Sequence, residues 1–152
     1  MTLQRIALLA LLITGIVAAG CDADDIFGDL GPRNRRPKKD VVYCFDTFYA
    51  AKKHMHKNGV EYKSRHQWHH IVGQHPANKA KFGEYDLHCS DNLIYLDLDK
   101  HRAVSGYYMR KFKWTKGKRV YEWLTDKNFD EQYSYGMGVL RDHGVDPAKH
   151  GL

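Results

Sequence analysis

A small single-domain α+β fold is what the amino-acid sequence predicts, from three observations. Apolar residues recur at helical spacing near residue 50, form two short apolar pieces near residues 70 and 95, the second alternating, and return to helical spacing beyond residue 100. Ten tyrosines, six phenylalanines and three tryptophans supply a core. A length of 152 residues suits one domain rather than two. Hydrophobic content of 43% excludes global disorder, and 28% charged residues exclude an integral membrane protein. A folded part of roughly 110 residues buries about two-thirds of its unfolded surface, so neither disulfide nor metal is obligatory for folding.

At the N-terminus, Arg5 precedes an apolar run from Ile6 to Ala19 that only Thr14 and Gly15 interrupt. As a helix this run is about 21 Å long, short of a hydrocarbon core of roughly 30 Å. A basic residue, a short apolar segment and then small residues describe an export signal over residues 1–20. The junction Ala18-Ala19-Gly20-Cys21 resembles a bacterial lipoprotein box, with Ala18 where leucine is usual. That resemblance implies lipid on Cys21, membrane attachment through it, and a place in the cell envelope. Residues 21–40 carry Asp22, Asp24, Asp25 and Asp29, then Pro32, Pro37 and five basic residues, with no apolar period. They read as a solvated tether leading to a domain over 41–152.

In that domain Asp40 is expected to cap a helix carrying Val41, Phe45, Phe48 and Met55, ended by Asn58-Gly59. Strands are expected at Trp68–Val72 and Leu93–Leu98, separated by a loop rich in Gly, Pro, Asn and Lys. A helix follows from Asp99 through Val104, Tyr107, Tyr108 and Lys111. After a basic turn at Gly117 comes a short amphipathic piece, Val120 to Leu124. A last helix starts near Asp126, carries Phe129, Tyr133, Met137 and Leu140, and ends at Gly144 and Pro147.

The order strand, loop, strand, helix puts His69 and His70 on the first strand, Asn92 at the entry to the second and His101 in the first helical turn. Adjacent strand residues point to opposite faces, so the two histidines suit different tasks. One can bind a metal while the other acts as a base. A divalent cation beside a neutral imidazole suits phosphodiester hydrolysis: the base activates water and the cation neutralises phosphate charge.

The pattern His69-His70-Ile71-Val72, Asn92-Leu93 and His101 resembles the HNH nuclease motif with its ββα-metal finger. It is more similar still to HNH domains at the C-termini of bacterial polymorphic toxins. Trp68, Phe82-Gly83, Leu87-His88, Asp91-Asn92, Ser105-Gly106-Tyr107-Tyr108, Val120–Leu124 and Phe129–Tyr133 extend the likeness over about residues 62–147. It implies an α+β domain in which a ββα-metal finger is surrounded by helices. It implies His70 as the general base, His69 and His101 as ligands of one divalent metal ion, and Asn92 as the brace that orients the base. His69 stands where many such enzymes have Asp, which favours Zn or Ni over Mg. Ser105 stands where some relatives place a further ligand, and His88 is a candidate third ligand. His54, His56, His66, His75, His143 and His150 lack this context and are expected on the surface. Cys44 and Cys89 are open to pairing as a disulfide or to remaining two thiols.

Lys100, Arg102, Arg110, Lys111, Lys113, Lys116, Lys118 and Arg119 run without an acidic residue among them, and the chain carries a formal net charge of +6. Such a block suits phosphate contacts, with Arg102, Arg110, Lys113, Lys116 and Lys118 as substrate-binding candidates. The interleaved Tyr107, Tyr108, Phe112 and Trp114 are expected to be core. Nothing reads base edges, so little sequence specificity is expected, with DNA favoured over RNA. The resemblance implies a lipid-anchored nuclease toxin acting inside a target cell and countered by a cognate immunity protein. The alternatives are a scavenging extracellular nuclease and a non-catalytic surface lipoprotein that uses the finger as a metal-stabilised binding module.

Overall fold

The computed structural model describes residues 41–150 and Leu152. The expected export signal over residues 1–20, Cys21 and the expected tether to residue 40 lie outside the described residues. Within them the chain forms an α+β domain of one two-stranded antiparallel sheet and five α-helices.

Helix α1 spans Phe48–Lys57. It begins later than the apolar spacing predicts, because Thr47 and not Asp40 caps it, accepting from the Ala50 amide at 3.2 Å. Val41 is 57% exposed and has no helical face to join. The segment before α1 is instead held extended. The Tyr43 carbonyl accepts from the Ser90 amide at 2.8 Å, and Cys44 is disulfide-bonded to Cys89 across 45 residues of sequence.

Strand β1 is His66–His70 and β2 is Leu93–Asp97. Their register pairs His66 with Asp97, Trp68 with Tyr95, His70 with Leu93 and His69 with Ile94. His66, Trp68 and His70 therefore share one face with Leu93, Tyr95 and Asp97, while Gln67 and His69 share the other with Leu96 and Ile94.

The stretch expected to be a loop between the strands is largely helical. Helix α2 covers Pro76–Leu87, with Pro76 in its first turn and a break at Gly83, whose φ of 78° interrupts the helical backbone. It buries only Asn78 and Leu87, so it has no apolar period to betray it. A 3-10 turn, Ser90–Asn92, leads into β2.

Helix α3, Leu98–Met109, follows β2 without a loop and ends short of Lys111. Its cap is Asp97, which accepts from the Asp99 and Lys100 amides at 3.1 and 2.9 Å. Helix α4 is Val120–Leu124, and α5 is Phe129–Asp142. The start of α5 is set at Asn128 by a capping box with Glu131.

Ile71, Leu87, Ile94, Leu96, Val104, Val120, Tyr133 and Leu140 form the centre of the core. Helix α5 crosses close behind β1: a Cβ on Gly136 would stand 2.7 Å from the Ile71 carbonyl oxygen, so this contact requires glycine. Among the described residues no helix is long and apolar enough to cross a membrane.

Candidate functional site

The sheet separates the two adjacent histidines as the strand period requires. His69 is 8% exposed and turns toward α3, where its ring lies edge-on to His101 with centroids 5.4 Å apart. The Nε2 of His69 is buried and has no hydrogen-bond partner. The Trp68 backbone lies within hydrogen-bonding reach of the His101 ring and works against the effect of burial on it. Burial, followed by the neighbouring His101, holds the His69 pKa down to about 4, and burial also lowers that of His101. Two neutral imidazoles facing each other, one with an orphaned nitrogen, fit a divalent metal as paired ligands.

His70 turns to the opposite face and is 6% exposed. Its Nε2 lies 3.1 Å from Nδ1 of His88, and His88 Nε2 lies 3.7 Å from a carboxylate oxygen of Glu84. Glu84 is in turn held by Lys79 at 2.8 Å. Read inward from the carboxylate, this chain favours one pair of tautomers. With His88 protonated on Nε2, the nitrogen nearer Glu84, its Nδ1 would accept from His70 Nε2–H and the lone pair of His70 would be left on Nδ1. Burial, then His88, His69 and Lys79, lowers the His70 pKa to about 3. The ring is neutral at neutral pH. The ring of Phe48 covers its flank at 4.6 Å between centroids.

His88 therefore stands with His70 and away from the His69–His101 pair. Among the described residues no three His, Cys, Asp or Glu side chains group to hold a metal. Only two of the three expected ligands come together.

Asn92 is fully buried and clamps the chain just beyond His70. Its Oδ1 accepts from the Val72 amide at 2.8 Å, and its Nδ2 donates to the carbonyls of Leu87 and Val72 at 2.9 and 3.2 Å. Its own backbone carbonyl accepts from the Ile71 amide at 3.0 Å. The same side chain thus ties the residues after His70 to the residue before His88.

A cleft of about 370 Å³ is lined by His69, His70, His75, Ser105, Tyr108 and Tyr121, among others. His75 carries no sequence signal for the cleft. It heads α2 and packs on Tyr121 at 5.4 Å, a placement that only the fold creates. The expectation of surface histidines needs a wider correction: His54, His56, His66, His75 and His143 are half-buried, and only His150 is exposed. Glu84 is likewise silent in the sequence, because a carboxylate four residues before a histidine means nothing until the helix that joins them is known.

The basic stretch divides. Lys100 is half-buried, and its Nζ donates to the His143 carbonyl at 2.7 Å, so it is structural. Arg119 contacts the Tyr121 hydroxyl at 3.3 Å, and Lys118 lies 3.6 Å from Asp126. Arg110 sits over Phe112. Arg102, Lys111, Lys113 and Lys116 project into solvent. Residues 110–119 form a loop folded around the buried Thr115, whose hydroxyl bonds to the Phe112 and Lys118 carbonyls. Phe112 and Trp114 stack together against the core, as expected. Met109 and Tyr121, which flank the loop in sequence, both line the cleft.

Comparison of the chain with protein-family models, with curated proteins and with solved structures finds no match.

Proposed function

We propose that this chain is an HNH-type endonuclease: a metal-dependent phosphodiesterase acting on nucleic acid, DNA in preference to RNA, with little sequence specificity. The observation that carries it is the division of labour across one strand. His69 faces His101 with an unpartnered nitrogen, His70 is held by His88 and braced by Asn92 on the other strand face, and both rings line the same cleft. In this reading β1, β2 and α3 are the ββα-metal finger.

A divalent ion held by His69 and His101 would neutralise charge on the phosphate and the leaving oxygen. Nδ1 of His70 takes the proton of the attacking water. A base depressed to about pKa 3 is a weak one, but a phosphate anion placed beside it raises the pKa toward the working range. Asn92 keeps the turn after His70 from drifting, and the 110–119 loop draws the phosphate backbone to the cleft. Zinc and nickel suit the imidazole pair better than magnesium.

We read the chain as an exported lipoprotein anchored through Cys21, a toxin effector paired with an immunity protein. Incubation of the full-length chain with plasmid DNA and with RNA, across a zinc, nickel and magnesium series with a chelator control, tests the activity. Cleavage that the chelator abolishes is expected. His70→Ala should lower it on the order of 10²–10⁴-fold while leaving metal content unchanged. Absence of cleavage with every metal would remove the nuclease and leave a binding module.

A further inference from the structure

We infer that the face of the sheet carrying His70 continues into a binding trough for single-stranded nucleic acid, formed by Tyr49, Lys52 and Lys53 of α1, Tyr62, and Trp68 and Tyr95 of the hairpin. The strand period puts Trp68 on the same face as His70 and about 7 Å along it. Tyr95 is its cross-strand partner. Helix α1 lies along this face as a wall, and Phe48 belongs to both places: it lines the trough and packs on the His70 ring at 4.6 Å.

The trough has a volume of about 600 Å³. Its floor rings are already satisfied at their polar edges. Trp68 Nε1 donates to His56 at 3.2 Å, and the Tyr95 hydroxyl donates to the Lys63 carbonyl at 3.1 Å. They offer ring surface, not hydrogen bonds. At the rim, Tyr49 and Tyr62 are 72% and 79% exposed, an unusual degree for large rings. Lys52 and Lys53 supply positive charge, and among the described residues lining the trough there is no carboxylate.

Exposed rings beside lysines, without acid, match a ligand that alternates π-faces with phosphates. Single-stranded nucleic acid is that ligand, because in a duplex the bases are stacked on each other and their faces are closed to side chains. An acidic peptide would satisfy the lysines but leave the rings without partners. The trough rests on the nuclease reading for its purpose: it would hold the unpaired strand flanking the phosphate presented to His70. This is a second binding region, separate from the 110–119 loop and the other cleft.

The test uses the full-length His70→Ala protein, so that cleavage does not distort binding, and two further variants in that background. Tyr49→Ala/Tyr62→Ala removes two exposed rings, and Lys52→Gln/Lys53→Gln removes two charges. Fluorescence anisotropy with a labelled 12-nucleotide oligothymidylate and a 12-base-pair duplex measures affinity across a salt series. The tyrosine pair should weaken the single strand by about tenfold or more and spare the duplex. The lysine pair should flatten the single-strand salt slope by about 1.4, at roughly 0.7 for each of two phosphates. Unchanged single-strand affinity and slope in both variants overturns the trough, even where the parent enzyme cleaves. Weakened binding in the variants of a chain that shows no cleavage under any metal condition keeps the trough and removes the nuclease.

Discussion

His70 Nε2 and His88 Nδ1 are 3.1 Å apart in a buried contact that joins β1 to the end of α2. At that distance one ring nitrogen donates and the other accepts, so the protonation sites of the two rings are coupled. His88→Phe fills the space without an acceptor and should lower turnover at saturating substrate. The upper bound is the cost of losing the base itself, on the order of 10²–10⁴-fold. His88→Asn places an amide oxygen near the position of Nδ1 and should recover most of the deficit. A Phe variant that cleaves at the parent rate would show that His88 is packing only. Equal metal content in both variants would separate this role from ligation.

The metal pair predicts a different signature. His69→Ala and His101→Ala should each weaken binding of one zinc or nickel ion per chain, read by calorimetric titration, since each removes half of the facing pair. His88→Ala should not weaken it. The reverse order of effects would move the metal to the His70 side of the sheet.

Charge on the 110–119 loop predicts salt dependence. Replacing Lys113, Lys116 and Lys118 by Gln should flatten the slope of log K against log salt on duplex DNA by about 0.9 for each phosphate no longer neutralised. Lys118 already faces Asp126, so the change should correspond to two phosphates rather than three. A parent slope unchanged in the triple variant would make the loop a solvated surface.

The buried histidines predict acid sensitivity of the metal-free fold. Folded-state pKa values of about 4 for His69 and about 3 for His70 lie below the ordinary 6.5, chiefly through burial. The unfolded chain therefore binds more protons between those limits. Their contribution is complete above pH 6.5 and is lost as pH falls from there toward 4, at about 1.4 kcal/mol per pH unit for each ring. Urea unfolding at pH 7.5 and 5 should show the decline, and His69→Gln/His70→Gln should reduce it. Equal midpoints at the two pH values would contradict the burial of these rings.

The strand period and the opposite facing of His69 and His70 are legible in the sequence, because alternation is a local property. The spacing from Asn92 to His101 is equally local, covering one short strand and one turn. Helix α2 is illegible: Pro76, Asn78 and Gly83 interrupt it with loop-like residues, and its two buried residues include an asparagine that bonds Gln132 at 2.8 Å. Without α2, His88 cannot be placed, since only the path of that helix decides which side of the sheet His88 reaches. The apolar spacing of Val41 and Phe45 misleads for another reason. Tertiary ties to Ser90 and Cys89 hold that segment straight, and no propensity registers a tie 45 residues away.

The Cys44–Cys89 bond encloses α1, β1 and α2, the three elements that carry His69, His70 and the approach to His88. Closing a loop of that size is worth about 4 kcal/mol in the chain-entropy account, against a total stability on the order of 5–15 kcal/mol for a domain. Dithiothreitol should lower the unfolding free energy by a comparable amount, and Cys44→Ser should match the reduced parent; a midpoint indifferent to both would show that the bond holds little. The durability of the histidine-bearing half is thus coupled to its redox surroundings. It is a sturdier object where thiols are oxidised than in a glutathione-rich cytosol, where the released loop opens more often and offers itself to proteases.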